Sequence, residues 1–288
     1  MVTVFTPAYN SKKTIERLYN SLLSQTNSNF EWVVVNDGST DDSDALLEDL
    51  ISKAPFKTVY VRTENGGKYN AYNKGLQLAG GDYFICVDAD DYLPEYAIEK
   101  ITDTFCAISD TTDCCGIAAL KEILGHGIET IAKFPIDGEI LTLEKIEFEY
   151  KTAGEKTYVF KTALVKDILF PDILPEKFFP ELYLYDEIAS KYKFLTCNTV
   201  LTICEYQPDG YTGNYRKLMI NNPTGFAYLY GMRALRAKNF KTRFSMFARY
   251  HAFAVMSHNP KRIRVRLGFA GIISFPIGML MIIRYKFL

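Results

Sequence analysis

Acidic side chains are missing from the end of this chain: from Gly210 to Leu288 there is not one Asp or Glu. Fourteen of the 33 Lys and Arg lie in that stretch. Residues 1–209 keep 19 basic against 34 acidic residues, a net of −15 that the overall charge of −1 conceals. The division suggests an acidic catalytic body with a cationic tail, and the tail asks for an anionic partner, nucleic acid or a membrane surface. The six cysteines form no CxxC pair, and no histidine lies near them at zinc spacing, which excludes a cysteine-based zinc site. Cys114 and Cys115 are adjacent and ill placed to pair, so all six are expected to be reduced thiols of a cytosolic protein. No basic segment followed by an apolar one opens the chain, and a signal peptide is not expected. Histidine is scarce: three in 288 residues, and His126, between two glycines, sits in no catalytic motif. At 48% hydrophobic and 14% aromatic the chain is no disordered tail. Its length fits one large α/β domain, or a core domain with an appendage.

What is present is a series of short apolar runs, each ended by a polar turn. Val2 to Thr6 reads as a strand stopped by Pro7, and Ser11 is placed to cap a helix bearing Ile15, Leu18 and Leu22. Trp32–Val35 reads as a buried strand closed by Asn36-Asp37-Gly38-Ser39. Asp41, Asp42 and Asp44 then suit the start of a helix carrying Leu46, Leu47, Leu50 and Ile51. Thr58–Arg62 is a third strand, followed by Glu64-Asn-Gly-Gly-Lys68 and a helix over 69–79. The run beginning at Phe84 ends in Asp88, Asp90 and Asp91. This β-α-β-α-β-α-β order predicts a mainly parallel sheet with helices on both faces, whose ligands bind beyond the carboxyl ends of the strands. Asp88 and Asp90, two apart on extended backbone, point to one side. Three carboxylates this close repel unless a cation accepts them, so the triplet is either a divalent-metal site or a solvated acidic turn.

The turns after these strands, Phe5-Thr-Pro-Ala-Tyr-Asn10, Val35-Asn-Asp-Gly-Ser-Thr40, Asn65-Gly-Gly-Lys68 and Val87-Asp-Ala-Asp-Asp91, together resemble the family 2 glycosyltransferases of GT-A fold. The resemblance is strong over residues 2–91 and weaker to about Gly210. Asn36 departs from it, since the family commonly has an acid there, while Asp37 keeps the second position. The resemblance implies a site in which Pro7, Tyr9, Asn10, Asp37, Lys68 and Asp88 bind a nucleotide-sugar. Tyr9 would stack on the base, typically uracil, and Asp37 would hydrogen-bond it. Asp88 would sit by the ribose, Lys68 near the diphosphate, and Asp90 would hold Mn²⁺ or Mg²⁺. It further implies an inverting single displacement, with a carboxylate deprotonating the acceptor hydroxyl. Counting back from Asn198-Thr-Val-Leu201 leads to Glu181 after Pro180 as that base, with Asp186 the alternative, Glu187 behind it and Glu176 a weaker member of the same loop.

One enzyme domain and a helical tail are expected: residues 1–209 as the transferase domain (1–110 nucleotide-sugar half, 111–209 acceptor half) and 210–288 as a basic, apolar helical region. In that region Phe240, Phe244, Phe247, His251, Ala254 and Val255 share a helical face. Lys261-Arg-Ile-Arg-Val-Arg266 precedes an uncharged run, Leu267 to Ile283, bracketed by Arg266 and Arg284. Seventeen residues make a helix of about 26 Å against a hydrocarbon core of about 30 Å, and Pro276 interrupts them. The pattern suits an interfacial or re-entrant helix on an anionic membrane surface through residues 240–288, ahead of a true span or a helix packed on soluble protein, and no nucleic-acid motif is present. A cytoplasmic enzyme attached to the inner face of the cell membrane, with a glycan or lipid-linked acceptor of cell-envelope polysaccharide synthesis, is the expectation. Two other readings stand beside it. A sugar-phosphate nucleotidyltransferase would want a Gly-rich basic loop after the first strand, which Thr6–Asn10 does not offer. A non-catalytic nucleotide-sugar-binding membrane scaffold would not need its carboxylates intact.

Overall fold

The computed structural model describes residues 1–107, 113–124, 133–146, 155–205, 215–257, 263 and 265–287. His126, Lys261, Arg262, Arg264 and the expected boundary at 209/210 lie outside them. The chain divides into two compact units. One holds Met1–Asn65, Asn70–Leu169 and Tyr185–Gln207; the other holds Gly66–Tyr69, Phe170–Leu184 and Pro208–Leu288.

The first unit is built on one nine-stranded sheet. Its strands are β1 (Val2–Ala8), β2 (Phe30–Asn36), β3 (Lys57–Arg62), β4 (Tyr83–Cys86), β5 (Asp91–Tyr92), β6 (Cys114–Leu124), β7 (Ile140–Leu141), β8 (Lys156–Lys161) and β9 (Lys193–Glu205). The order is β3-β2-β1-β4-β8-β6-β9-β5, with β7 also on β9. The first four strands run parallel, as their β-α-β sequence predicts. Beyond β4 the sheet is mixed: β8 is antiparallel to β4 and β6, and β6 is parallel to β9. Because β1 lies between β2 and β4, the chain switches direction across the sheet there, and open α/β sheets bind their ligands at the carboxyl ends beside such a switch point.

Strand alternation sorts side chains to two faces. Val2, Val4, Trp32, Val34 and Ile85 pack with Ile15 and Leu18 of α1 (Ile15–Leu23), Leu47 of α2 (Ser43–Ser52) and Ile98 and Ile101 of α4 (Ala97–Ala107). On the other face Phe5 and Phe84 meet Tyr72 of α3 (Lys68–Leu78), with ring centroids 5.7 and 5.5 Å away. Helices therefore cover both faces. Pro7 does not stop β1, as the sequence suggests, but pairs with Val35. Phe5 O accepts from Val87 N and Ala8 O from Asp37 N, so residue 7 points its backbone toward β4, whose paired residues have already ended. The missing N–H of Pro7 costs no ladder bond there. Nor does Ser11 cap α1 by its hydroxyl; its carbonyl accepts from Thr14 N and Ile15 N at 2.9 and 3.0 Å. All six cysteines are free.

A charged group is sealed inside this sheet. Glu31 is fully buried; it accepts from Thr3 Oγ1 and Gly80 N, both at 2.6 Å, and pairs with Lys57 Nζ at 2.6 Å. Burial alone would push its carboxyl up, but Lys57, Thr3 and Gly80 outweigh that and hold it below the ordinary value. A depressed carboxyl stabilises the fold at pH above its unfolded value, about 4.3, and that contribution is lost as pH falls through the folded value. Glu31→Leu leaves the buried Thr3 hydroxyl without an acceptor, at about 1–3 kcal/mol, and the part-buried Gly80 N–H as well, at a smaller cost. Urea unfolding at pH 7 is expected to show a loss of about 2–4 kcal/mol, whose charge-dependent part fades as pH falls through the folded value while the part from the stranded donors persists. A loss independent of pH would show that the charge is not what matters.

The second unit carries α7 (Tyr215–Asn221), α8 (Pro223–Arg236), α9 (Phe240–Met256) and α10 (Phe269–Phe287). Pro223 opens α8, where its absent N–H costs nothing, and Asn239 caps α9 by accepting from Thr242 N at 2.8 Å. Phe226 stacks on Phe253 at 5.2 Å, and Ala234, Phe247, Tyr250 and Ala270 complete the core. The single face expected for α9 is corrected here. Phe240 and Val255 are exposed, while Ala248, Tyr250, Ala252 and Phe253 are buried, because α9 packs against both α8 and α10 and needs more than one apolar stripe. Helix α10 runs unbroken through Pro276.

Candidate functional site

Three loops follow the carboxyl ends of β1, β2 and β4, and each is held by named contacts within the first unit. Asn10 takes a left-handed backbone (φ 49°), which asparagine tolerates better than most residues. Its side-chain oxygen accepts from Thr40 N at 2.8 Å, and its own N–H donates to Ser39 Oγ at 3.0 Å. Asn10 thus ties the first loop to the second. Gly38 is needed on two counts: φ is +69°, and a Cβ would stand 2.7 Å from Asn65 N. Tyr9 projects from this frame with half its surface exposed, next to Pro7 and Ala8, while Asp37 is buried and donates its N–H to the Ala8 carbonyl at 2.8 Å. An exposed ring beside a buried carboxylate suits a flat ligand that both stacks and donates hydrogen bonds.

Asn36, where the resemblance leads one to expect an acid, has a reason to be an amide. Its nitrogen donates to Asp44 Oδ1 at 2.9 Å and to Tyr60 Oη at 3.0 Å, and its oxygen accepts from Ser39 N at 2.9 Å. Asp44 also accepts from Tyr60 and pairs with Arg62. The Tyr60 hydrogen bond first, with Arg62 and Asn36, holds the Asp44 carboxyl below its usual range. Burial and that same carboxylate push Tyr60 up to about 12. An aspartate at 36 would face Asp44 with like charge. Asp44 therefore serves this network as well as the first turn of α2, just before which Asp41 accepts from Ser43 N at 3.0 Å.

The acidic triplet separates into two kinds of residue. Asp88 and Asp90 are half-buried at the end of β4, and Asp91 N donates back to Asp88 O at 3.0 Å to close the turn. Asp91 is buried at 3% exposure, pairs with Cys204 in the β5–β9 ladder, and meets Lys121 Nζ at 2.8 Å. Burial pushes the Asp91 carboxyl up to about 6 against the pull of Lys121. For Lys121 burial acts to lower the ammonium, but Asp91, Asp88 and Glu155 outweigh it and raise it. A solvated acidic turn would not contain a buried ion pair, so that reading is set aside for Asp91.

Among the described residues no three His, Cys, Asp or Glu side chains converge as a closed metal cage. Two half-buried carboxylates offer hard oxygen and leave the remaining positions to substrate and water, the manner in which Mg²⁺ is commonly bound. The residues present thus fit a shared Mn²⁺ or Mg²⁺ with Asp90 as ligand and Asp88 beside it.

In the second unit the Gly66–Tyr69 turn is fastened to the 170–184 segment. Gly67 (φ +92°) lies so close to the Lys177 carbonyl that a Cβ would come within 1.9 Å, and Tyr69 Oη donates to Glu176 O at 3.1 Å. Lys68 Nζ pairs with Glu181 Oε1 at 2.5 Å. Glu181 directly precedes α6 (Leu182–Ala189), with Leu184 N donating to its carbonyl at 2.9 Å, and its side chain stays about half exposed. Asp186 and Glu187 lie within α6. Glu176 is removed from the candidates for a base: it is buried, and its carboxylate accepts from the N–H and hydroxyl of Thr224 at the start of α8.

Sequence reasoning missed the Asp91–Lys121 pair and Arg17, whose guanidinium donates to the Asp90 carbonyl. The one signal for Lys121 is a lone lysine in the apolar run of β6.

Residues 3–140 match the family model described as "Glycosyl transferase family 2". An uncharacterized glycosyltransferase of Nostoc, alr2836, is 31% identical over 141 residues, 49% of this chain and 42% of that protein. Poly(ribitol-phosphate) beta-N-acetylglucosaminyltransferase TarS of Staphylococcus aureus is 32% identical over 167 residues, 57% of this chain and 28% of TarS. The chain therefore spans less than half the length of these relatives. A TarS 1–349 structure in complex with UDP-GlcNAc matches with TM-score 0.57 at 18% identity, covering 97% of this chain and 91% of that one. A Pyrobaculum calidifontis mannosyltransferase in complex with GDP-Man and Mn²⁺ matches at TM-score 0.55 and 19% identity, covering 99% and 81%. At these identities the structural likeness speaks for the fold, which the proteins share.

Proposed function

Since the chain belongs to glycosyl transferase family 2 through residues 3–140, we propose that it is a metal-dependent, inverting glycosyltransferase. It moves a sugar from a nucleotide-sugar, a UDP-sugar first of all, to a hydroxyl of a glycan or lipid-linked acceptor in cell-envelope polysaccharide synthesis. The observation that carries this reading is the β1/β4 switch point, where exposed Tyr9, buried Asp37 and half-buried Asp88 and Asp90 follow adjacent strand ends. UDP-GlcNAc in TarS and GDP-Man with Mn²⁺ in the mannosyltransferase support it by likeness.

Tyr9 stacks on the base and Asp37 accepts its N–H; Asp88 accepts from a ribose hydroxyl. Asp90 holds the ion, Lys68 answers diphosphate charge, and Pro7 and Asn10 shape the first loop. When bound, Mn²⁺ or Mg²⁺ supplies positive charge to the leaving diphosphate, on which negative charge grows. Glu181, or Asp186 in its place, takes the acceptor's proton as its oxygen attacks the anomeric carbon. The bond to the diphosphate oxygen breaks on the opposite face, and its electron pair leaves with the nucleoside diphosphate. Incubating the protein with Mn²⁺ and a panel of nucleotide-sugars, with glycan and lipid acceptors, should release UDP, and EDTA should stop it. A product joined to a nucleoside by a new phosphodiester would favour nucleotidyl transfer instead; binding without turnover would leave a sensor.

The tail is read as attachment to an anionic leaflet, which puts the enzyme on the cytoplasmic face of the cell membrane. Helix α10 buries its small residues, Ala270, Gly271, Ser274 and Gly278, and exposes its large apolar ones: Phe269 at 73%, Ile272 at 64% and Leu280 at 62%. A helix docked on a water-soluble core would do the reverse. Residues Phe269–Lys286 are apolar enough to cross a bilayer by length and composition, with mean hydropathy 1.4, and Arg266 and Arg284 bracket the uncharged run from Leu267 to Ile283. Full-length protein should sediment with phosphatidylglycerol vesicles and not with phosphatidylcholine, with salt weakening the effect. Ile272→Asp with Leu280→Asp should cut vesicle binding about tenfold or more. Equal sedimentation of wild type and double variant would sink the attachment.

A further inference from the structure

Arg17 of α1 touches the metal-bearing turn without belonging to it. One guanidinium nitrogen donates to the Asp90 carbonyl, and the other pairs with the carboxylate of Glu205 at the end of β9. Its carbon lies 4.9 Å above the centre of the Tyr92 ring. The third nitrogen, Nε, is buried without a partner, so the side chain is held by its flat end and not along its length. The three contacts are with Asp90 itself, with Tyr92 two positions on, and with Glu205 on β9, the strand that pairs with β5. Helix α1 is itself anchored in the core by Ile15, Leu18 and Leu22. A single rigid group thus ties the turn to the body of the sheet.

We infer that Arg17 is a positioning residue for the ion proposed above: it fixes the backbone of Asp90 so that the carboxylate meets the metal in one orientation. The inference rests on Asp90 being the metal ligand. A planar guanidinium meets a carbonyl, a carboxylate and a ring face together because its donors diverge in one plane. A lysine keeps the charge and loses the fork. Groups that orient metal ligands from behind typically matter by about 10- to 100-fold in affinity or rate.

The test is Mn²⁺ binding in the presence of UDP, read as loss of the free-ion electron paramagnetic resonance signal, for wild type, Arg17→Lys and Tyr92→Leu, with thermal midpoints alongside. Arg17→Lys should weaken Mn²⁺ by about tenfold or more, and Tyr92→Leu, which removes only the ring support, by less. The kinetic counterpart is a raised Mn²⁺ requirement for UDP release that high Mn²⁺ restores. Unchanged Mn²⁺ affinity in both variants, with only a lowered midpoint, would overturn the positioning role and reduce Arg17 to a stabilising contact. Should Arg17→Lys not fold, Tyr92→Leu decides by the same criterion. If wild type itself takes up no Mn²⁺ with UDP, the metal reading fails, and the role of Arg17 falls with it.

Discussion

Alanine at position 90 is expected to lower metal-dependent sugar transfer by about 10²- to 10³-fold, equivalent to about 3–4 kcal/mol of transition-state stabilisation. The fold should survive the change. Asp90 is half-buried at a turn, and the hydrogen bond that Arg17 makes there is to the backbone carbonyl, which alanine keeps. Asp91, one residue on, should behave differently. Its carboxylate is buried against Lys121 at 2.8 Å, so Asp91→Ala strands a buried ammonium and should cost about 3–5 kcal/mol of stability. Two adjacent aspartates would then give two distinct losses: one of turnover at unchanged unfolding midpoint, the other of the folded protein itself. Calorimetry beside UDP-release kinetics separates them. Metal-stimulated turnover persisting in Asp90→Ala would remove this residue from the metal site.

The contrast between Asp90 and Asp91 shows where sequence reading reached and where it stopped. The parallel half of the sheet was legible because each of its strands is a compact apolar run and each loop follows within a few residues. The positions of Tyr9, Asp37, Asp88 and Asp90 at strand ends come from that local order. Asp91 was not legible, since its partner Lys121 is thirty residues away and the two meet only through β5, β9 and β6. Asn36 looked like a departure until Asp44, Tyr60 and Arg62 came into contact with it. Nothing in the sequence singles out Arg17, because only the return of β9 brings Glu205 to it. The residues proposed to meet a ligand announce themselves by their spacing after strand ends; those that brace them depend on long-range pairing. The tail illustrates the same limit. Its 3.6-residue stripe puts six residues on one face, but α9 packs against two helices, and so Phe240 lies outside and Tyr250 inside.

Glutamine at position 181 is expected to lower kcat by about 10²- to 10⁴-fold while leaving the KM for the nucleotide-sugar nearly unchanged. A group that only takes a proton from the acceptor contributes in the transition state and little to donor binding. The side chain is about half exposed, so glutamine should be tolerated; Lys68 loses a carboxylate at 2.5 Å but has solvent access of its own. Lys68→Met makes the complementary measurement. If the lysine answers diphosphate charge, its loss should raise the donor KM, whereas a lysine that merely restrains Glu181 would leave donor KM unmoved and alter kcat alone. Asp186→Asn is the competing variant, because Asp186 stands on α6 within one and a half turns of Glu181. A collapse of kcat in Asp186→Asn, with Glu181→Gln close to wild type, would transfer the base to Asp186. A fall in both donor affinity and kcat in Glu181→Gln would mean that the Lys68–Glu181 pair shapes donor binding, and the proton acceptor would have to be sought elsewhere.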